Sequence, residues 1–229
     1  MAGVLYGIGV GPGDPELLTL KAVRLMESCQ VIVVPGEHYE ESVAYQIAVQ
    51  AVPQIAKKEC RSVLMPMTRD RQVLQAAHEK AAELVIGCLK EGKDVAFLNL
   101  GDVTIYASYL YVHRLVLQKG FQAELVNGIP SFCAAAARLG IGLAENSDQM
   151  HILSQPGQIE EGLKLPGTKI IMKMGKNIGQ VKEWIRRSDL EAKMVERCGM
   201  PGEKVYKNVD EIDEQAGYYS LLIVKEQKA

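Results

Sequence analysis

Residues 4–15 read Val4-Leu5-Tyr6-Gly7-Ile8-Gly9-Val10-Gly11-Pro12-Gly13-Asp14-Pro15, and this stretch decides the fold. The apolar run is typical of a buried strand, and the glycines and prolines after it are typical of a tight loop. Residues 16–28 follow with leucines at helical spacing, so the sequence predicts a strand, a loop and a helix in succession. A chain that begins in this way indicates an α/β fold.

The same alternation continues along the chain. The pattern predicts helices over residues 16–28, 41–51, 71–91, 107–118, 132–139 and 178–187. It predicts strands at 4–10, 31–34, 62–65, 94–99, 122–126, 151–153, 168–173, 192–196 and 218–224. The second half therefore also reads as α/β, with a mixed sheet. We place the domain junction near residues 119–127, which gives two packed α/β domains, 1–122 and 123–229.

Composition and charge limit the classes of function. Of the 229 residues, 48% are apolar and 24% are charged, as in globular domains, and the formal net charge is −2. A generic nucleic-acid binder needs a basic excess, so we expect no nucleic-acid partner. No apolar run approaches the roughly 18 residues of a membrane span, and no charged leader precedes a hydrophobic stretch. We expect a soluble, cytoplasmic protein.

Cysteines and histidines are scattered rather than clustered. The five cysteines are Cys29, Cys60, Cys88, Cys133 and Cys198, and none lies in a Cys-x-x-Cys motif. The four histidines form no His-Glu-x-x-His motif and no i, i+4 pair. The sequence predicts neither a disulfide framework nor a protein-bound metal.

The glycine-rich loop fails two nucleotide-binding fingerprints. In Gly-x-Gly-x-x-Gly the sixth position must be glycine, but it is Pro12 when counted from Gly7 and Asp14 when counted from Gly9. No Gly-Lys-Ser/Thr follows, so the loop is not a Walker loop either. A glycine turn that only joins a strand to a helix remains open at this point.

Longer motifs carry a family resemblance over nearly the whole chain. The N-terminal segment Gly9-x-Gly11-Pro12-Gly13-Asp14-x-x-x-Leu18-Thr19-Leu20-Lys21-Ala22 resembles the signature of the tetrapyrrole methyltransferases, which use S-adenosylmethionine in sirohaem and cobalamin synthesis. Further matches, in the order of the family, stand at Leu100-Gly101-Asp102, Asn127-Gly128-Ile129-Pro130-Ser131-Phe132 and Met172-Lys173-Met174-Gly175. Four ordered matches form a far stronger signal than any one of them.

Two segments narrow the resemblance to the precorrin-2 C-20 methyltransferases, including the form that takes cobalt-precorrin-2 (cobalt-factor II). These segments are Leu64-Met65-Pro66-Met67-Thr68-Arg69-Asp70 and Gly101-Asp102-Val103-Thr104-Ile105-Tyr106-Ala107-Ser108-Tyr109. The chain departs from the family where Val103 replaces the proline of Gly-Asp-Pro and where Asn127 replaces the proline common before Gly-Ile. Both departures concern loop conformation more than chemistry.

The resemblance implies methylation of carbon 20 of precorrin-2 or its cobalt form by a homodimer, with the donor in a cleft between two α/β domains. The family's donor contacts match Leu100, Gly101, Asp102, Ile105, Ser131, Phe132 and Met174. Glycines at 101, 128 and 175 suit the tight loops that would offer backbone hydrogen bonds to the donor. Asp102 has a second interpretation, in which its carboxylate caps the next helix.

Methyl transfer needs no activated nucleophile from the protein, because the nucleophile is an electron-rich ring carbon. Proximity then supplies most of the rate, on the order of 7–11 kcal/mol. Asp102 and Tyr106 are the catalytic candidates, with His113 a weaker nominee that also reads as a helix-surface histidine. The resemblance also implies a tetrapyrrole with eight side-chain carboxylates, for which Pro12, Lys21 and Arg69 are the candidate contacts; arginine can bind a carboxylate bidentately.

Three alternatives stay open at the level of sequence. The chain could methylate another ring position of a tetrapyrrole, methylate RNA, or bind a nucleotide without catalysis. The acidic balance and the lack of an aromatic-basic stripe count against RNA. Whether the substrate carries cobalt is open, because the metal would belong to the substrate and needs no protein ligand.

Overall fold

The structure is a computed structural model that describes residues 1–226, apart from the side chain of Lys176. These residues form two compact units, the first comprising Met1–Pro130 and the second the described residues from Ser131 onward. Each unit contains a five-stranded sheet with helices around it. The predicted α/β class is confirmed.

The sheet of the first unit is parallel throughout. Its strands are β1 (Val4–Gly9), β2 (Val31–Pro35), β3 (Glu59–Val63), β4 (Val95–Asn99) and β5 (Gln122–Val126). They lie in the order β3-β2-β4-β1-β5. The order reverses between β1 and β4, and open α/β sheets bind their ligands outside the carboxyl ends of the strands at such a point.

Four helices cover this sheet. They are α1 (Leu20–Ser28), α2 (Val43–Ala51), α3 (Arg71–Lys90) and α4 (Tyr109–Gln118). The prediction that the first helix begins at residue 16 is wrong. A short 3-10 turn, Pro15–Leu17, comes first, and Thr19 Oγ1 then accepts a hydrogen bond from Ala22 N at 3.2 Å, which makes Thr19 the N-cap of α1.

The core of the first unit is apolar on both faces of the sheet. All four residues of the β-branched run 31–34 are fully buried, as expected for a strand covered on both sides. On one face, Leu5 and Phe97 pack with Val85 of α3 and Tyr109 of α4. Burial of such large apolar side chains is the main source of stability for the unit.

Strand register brings three loops to one edge of this sheet. Gly9 pairs with Asn99 across β1 and β4, and Ile8 pairs with Val126 across β1 and β5. The three strands are parallel and end at the same level, so the loops that follow them lie side by side. These loops carry three of the four motifs of the sequence analysis.

The division of the chain lies later than the predicted boundary between 122 and 123. That boundary falls at the start of β5, whose residues pair with β1 from Val4↔Gln122 to Ile8↔Val126. β5 therefore belongs to the first sheet, and the division falls at Pro130. Sequence spacing could not show this, because the partner of β5 is more than a hundred residues away in the chain.

The sheet of the second unit is mixed, as the sequence predicted. Its strands are β6 (Met150–Leu153), β7 (Thr168–Met172), β8 (Leu190–Glu196), β9 (Lys204–Tyr206) and β10 (Ser220–Glu226). In the order β6-β7-β10-β8-β9, only the β6–β7 pair is parallel. β9 is a three-residue edge strand that the pattern of the sequence missed.

Three helices belong to the second unit: α5 (Ser131–Leu139), α6 (Pro156–Leu163) and α7 (Ile178–Arg186). Ile159 of α6 and Ile178 of α7 pack on Ile171 and Leu222 of the sheet. α6 was not predicted. Within residues 1–226, no helix is long and apolar enough to cross a membrane.

Candidate functional site

A junction of glycines joins the loops after β1 and β4. Gly11 N donates to Gly101 O at 3.2 Å, and Gly101 N donates to Gly11 O at 2.7 Å. Both residues have positive φ, 76° at Gly11 and 73° at Gly101, a region that L side chains rarely adopt. The backbone geometry of the junction therefore favours glycine at both positions.

The third loop, after β5, presses against the same junction. A Cβ atom on Gly128 would lie 2.3 Å from Gly101 O, and one on Gly9 would lie 2.6 Å from the same oxygen. The backbones of the three loops can approach this closely only because Gly9 and Gly128 have no side chains. The glycine-rich loop after β1 is therefore more than a connector between a strand and a helix, because Gly9 packs closely against the other two loops.

Asp102 connects two of these loops through its carboxylate. Oδ1 accepts hydrogen bonds from Thr104 N at 2.8 Å and from Thr104 Oγ1. Oδ2 accepts from Gly128 N at 2.9 Å and from Asn127 Nδ2 at 3.2 Å. Asp102 is only 5% exposed, so its carboxylate fastens the Gly-Asp loop to the loop after β5.

The same contacts set the protonation state of Asp102. Burial raises the pKa of its carboxyl, but the hydrogen bonds from Thr104, Gly128 and Asn127 outweigh burial and lower the pKa below its usual value. A carboxylate with its oxygens occupied and its charged form favoured is a poor proton acceptor. The geometry therefore counts against Asp102 as a catalytic base and favours a capping role, although it caps the 102–104 turn and not α4.

The rest of the Gly-Asp loop leaves Tyr106 at the surface. Val103 is fully buried in the core of the first unit, which explains how the loop tolerates valine in place of the family's proline. Leu100 and Ile105 are half-buried. Tyr106 is 51% exposed and has a φ of 51°, a strained value for a bulky residue. Strain of this kind clusters at functional sites.

In the second unit, two candidate donor contacts start α5. Ser131 is the first residue of the helix and is half-buried, and Phe132 is 7% exposed. The helix continues with four alanines, of which three are buried, so it packs closely on its sheet. Ser131 presents a hydroxyl and an N-terminal N–H group, and Phe132 presents mainly backbone.

Met174 follows β7 and is a core residue. Its side chain is 2% exposed and packs in the hydrophobic core of the second unit. Its carbonyl accepts from Asn177 N and Nδ2, at 3.1 and 2.9 Å, at the turn 175–177. The flanking residues Lys173 and Gly175 have φ of 59° and 53°. Met174 can therefore offer a ligand its backbone but little of its side chain.

The three candidate substrate contacts differ in their surroundings. Pro12 is buried in the loop after β1. Lys21, on α1, pairs with Glu124 of β5 at 3.8 Å, with both side chains about half exposed. Arg69 is exposed just before α3, and within the described part of the chain no carboxylate pairs with it. Arg69 is the candidate cation best placed to take up a carboxylate from outside.

His113 is half-buried and contacts the core, in contrast to the helix-surface position that the sequence suggests. Its Nδ1 lies 3.0 Å from the hydroxyl of Tyr109, which is fully buried and fills the space left by Gly7. Burial and the charge of Arg114 lower the pKa of His113. The histidine therefore has a structural partner in Tyr109, which counts against a role as a catalytic base.

Two residues of the junction were not singled out as site residues from the sequence: Thr104 and Asn127. The Asp-x-Thr spacing of 102 and 104 is a signal for the first, since aspartate side chains cap the residue two positions on. Asn127 was noticed only as a departure from the family. Among residues 1–226, no group of three or more His, Cys, Asp or Glu side chains could hold a metal ion.

The sequence of this chain is similar to a known protein family and to named relatives. Residues 4–213 match the family model of the Tetrapyrrole (Corrin/Porphyrin) Methylases. A protein of Methanocaldococcus jannaschii named "Probable cobalt-precorrin-2 C(20)-methyltransferase" is 38% identical over 98% of this chain and 96% of its own length. A precorrin-2 C(20)-methyltransferase of Sinorhizobium sp is 28% identical over 97% of this chain and 95% of its own.

A solved structure shares the fold. The uroporphyrin-III C-methyl transferase of Thermus thermophilus, complexed with S-adenyl homocysteine, superposes with a TM-score of 0.69 at 22% identity. The match covers 98% of each chain.

Proposed function

Because this chain belongs to the tetrapyrrole (corrin/porphyrin) methylases, we propose that it transfers a methyl group from S-adenosylmethionine to carbon 20 of cobalt-precorrin-2 in cobalamin biosynthesis. The observation that carries this proposal is the 38% identity to a relative with that name over nearly the full length of both chains. The preference for the cobalt form rests on the name of that 38% relative alone, and the paired assay below tests it.

The methyl donor is part of the proposal. A solved neighbour carries S-adenyl homocysteine, the demethylated form of the donor, and the two chains share a fold over 98% of their lengths. In the first unit, Leu100, Gly101 and Ile105 would contact the donor. In the second unit, Ser131, Phe132 and Met174 would contribute, chiefly through backbone groups, because both Phe132 and Met174 are buried.

S-adenosylmethionine, when bound, supplies an electrophilic methyl group. The bond between sulfur and the methyl carbon would break with its electron pair staying on sulfur. Carbon 20 would donate the pair that forms the new bond and would lose its proton to water. The protein's part is to hold donor and ring in line, an effect worth on the order of 7–11 kcal/mol. Rigid loops serve that purpose, and the glycine junction is rigid because its backbones are in contact.

Asp102 and Tyr106 have different parts in this scheme. Asp102 would hold the Gly-Asp loop in place, since its carboxylate is saturated by hydrogen bonds. Tyr106 is an exposed side chain of the same loop, and we propose that its hydroxyl contacts the ring substrate near the leaving proton. The positive φ of Tyr106 is a strained backbone value, and such strain clusters at functional sites.

Recognition of the ring would rest on carboxylate contacts. Arg69, exposed and without an ion pair in the described part of the chain, would bind one carboxylate bidentately. Lys21 would exchange Glu124 for a substrate carboxylate, and Pro12 would shape the loop beside the ring. A homodimer in the cytoplasm is the expected state of the enzyme, and light scattering on a sizing column would test the dimer.

The experiment is a paired methylation assay. The purified chain is incubated with S-adenosylmethionine and either cobalt-precorrin-2 or precorrin-2, and the products are read by mass spectrometry. We expect a gain of one methyl group with the cobalt form and a slower gain with the metal-free form. No gain with either ring, despite binding of S-adenosylhomocysteine, would contradict the proposal and direct attention first to other tetrapyrroles and then to RNA.

A further inference from the structure

Asn127 links the three loops of the glycine junction through two of its own groups. Its side-chain Nδ2 donates to Asp102 Oδ2 at 3.2 Å. The carbonyl oxygen of Asn127 accepts a hydrogen bond from Thr19 Oγ1 at 3.4 Å. Thr19 Oγ1 in turn accepts a hydrogen bond from Ala22 N at the start of α1. One residue thus connects the helix after β1, the Gly-Asp loop after β4 and the loop after β5.

The hydrogen bond from Asn127 Nδ2 to Asp102 helps to hold the Gly-Asp loop against the loop after β5. Asp102 Oδ1 is satisfied within its own turn by Thr104, so it does not join the loops. Only Oδ2 reaches the loop after β5, where its partners are Gly128 N and Asn127 Nδ2. Asn127 therefore supplies one of the two hydrogen bonds by which the Asp102 carboxylate connects the two loops.

The residue type at position 127 decides whether this bond can form. Asn127 places its amide on the carboxylate of Asp102, whereas a proline at this position would have no side-chain donor. A hydrogen bond to a charged group is stronger than one between neutral groups, so this bond can hold the loop in place.

We infer that Asn127 is a positioning residue that sets the affinity for the methyl donor by holding Asp102, and with it the Gly-Asp loop, in the donor-binding arrangement. This inference rests on the proposed function, because it takes Leu100, Gly101 and Ile105 of that loop as donor contacts. Asn127 acts through Asp102 and does not touch the reacting atoms.

Substitution of Asn127 tests the inference. Asn127→Ala removes the amide, and we expect it to weaken binding of S-adenosylhomocysteine, measured by calorimetry, about tenfold. Asn127→Asp keeps the shape but places a second carboxylate against Asp102, so a larger loss is expected. In the methylation assay the effect should fall on KM for the donor more than on kcat.

A double substitution separates positioning from general damage. Asp102→Ala removes the acceptor that Asn127 uses, so adding Asn127→Ala to it should cost little more donor affinity. The control is Asn208→Ala in the second unit, where Asn208 Oδ1 accepts from Asp210 N at 3.0 Å and Glu211 N at 3.1 Å. That change also removes side-chain hydrogen bonds from an exposed turn, and we expect donor binding to stay at the level of the unsubstituted chain.

Hydrogen exchange on the ligand-free chain supplies a readout that does not need the donor. Thr104 N and Gly128 N both donate to Asp102, so Asn127→Ala should speed exchange at both amides while Asn208→Ala should not.

Three results would overturn the inference. They are donor affinity within about twofold of the unsubstituted chain in Asn127→Ala, an equal loss in Asn208→Ala, or additive losses in the double variant. If the unsubstituted chain binds no S-adenosylhomocysteine, the proposed function fails and the donor-affinity claim fails with it. The exchange rates then still show whether Asn127 holds the loop.

Discussion

Gly128 N donates a hydrogen bond of 2.9 Å to the Oδ2 atom of Asp102, and this contact joins the loop after β5 to the loop after β4. The N–H can reach the carboxylate because the residue that carries it has no Cβ, which would lie 2.3 Å from Gly101 O. Close packing of the backbone and satisfaction of a buried carboxylate are thus two aspects of one contact. The first predictions below follow from it.

Gly128→Ala should destabilise the chain and weaken donor binding together. The added methyl group overlaps backbone atoms of Gly9 and Gly101 rather than a flexible side chain, so the loops must separate. We expect a loss of about 1–3 kcal/mol in the free energy of unfolding, measured by urea denaturation.

Gly87→Ala is the matched control for that change. Gly87 lies in α3, and no atom stands within 4 Å of the Cβ that alanine would add. Because glycine costs about 0.5–1 kcal/mol in a helix interior, this variant should be as stable as the original chain or more so. A Gly128→Ala protein of unchanged stability would contradict the close packing of the junction.

Asp102→Asn should destabilise the chain in a way that depends on pH. The pKa of Asp102 is lowered in the folded state, so its contribution to stability is fully present above the unfolded pKa, about 3.9, and is lost as pH falls through the folded pKa. The difference in unfolding free energy between Asp102→Asn and the original chain should therefore be largest near neutral pH and should shrink toward zero at acid pH.

Asp189→Asn in the second unit is the matched control. The Asp189 side chain is exposed, so we expect this change to alter the free energy of unfolding little. A gap between Asp102→Asn and the original chain that stays constant from neutral to acid pH would show that the charge of Asp102 contributes nothing.

Lys169→Met should stabilise the second unit at neutral pH. The Lys169 side chain is 1% exposed, and its partner Glu226, at 3.9 Å, is itself 62% exposed. Burial lowers the pKa of Lys169, so its charge weakens the fold at neutral pH and the penalty fades as pH rises from the folded pKa toward the unfolded one, about 10.4. Replacement of such a charge by an apolar residue gains about 1–4 kcal/mol in comparable cases.

Urea denaturation at neutral and alkaline pH measures that gain. We expect the advantage of Lys169→Met to shrink as pH rises. Lys193 of β8 is half-buried in the same sheet, and Lys193→Met should give a smaller change than Lys169→Met at neutral pH. A less stable Lys169→Met protein would show that the Glu226 pair outweighs burial.

Arg69→Ala should weaken binding of the ring and not of the donor. An exposed arginine that gains a carboxylate partner contributes up to about 1 kcal/mol, so we expect KM for the tetrapyrrole to rise about fivefold. Arg187, 77% exposed in the second unit, is the control. Equal KM values for Arg69→Ala and Arg187→Ala would remove Arg69 from the site.

Tyr106→Phe should lower kcat while leaving the affinity for S-adenosylhomocysteine unchanged. The substitution removes only the hydroxyl, which we place beside the ring, and a group that assists proton transfer contributes about 100-fold or more. Tyr111 on α4 is equally exposed, at 51%, and Tyr111→Phe keeps its ring stacked on His78. A kcat equal to that of the control would confine Tyr106 to shape.

The sequence predicted the buried strands and the long helices well, because their signals are local. Residues 31–34 are β-branched without interruption, and the apolar periodicity of 71–91 matches α3 within a residue. β3 was placed three residues too late, because the apolar residues after it carried the prediction. Leu64 is 57% exposed and Met65 is half-buried, whereas the strand itself contains Glu59 and Arg61 at the sheet edge.

α6 and the network around Asp102 were beyond local reasoning. α6 contains Gly157 and Gly162, which argue against a helix, but a Cβ on Gly162 would meet Leu153 Cδ1 at 2.4 Å, so glycine there permits packing on β6. Asp102 was a candidate from its motif, yet its partner Asn127 is 25 residues away. Only the register of β4 and β5 on β1 brings the two together.

The most direct test of the proposed activity is to locate the transferred methyl group. The chain is incubated with cobalt-precorrin-2 and S-adenosylmethionine labelled with carbon-13 in the methyl group, and the product is examined by NMR. We predict a single labelled methyl group on carbon 20. A label on any other ring carbon would contradict the account. So would unchanged S-adenosylmethionine after incubation with a protein that binds S-adenosylhomocysteine.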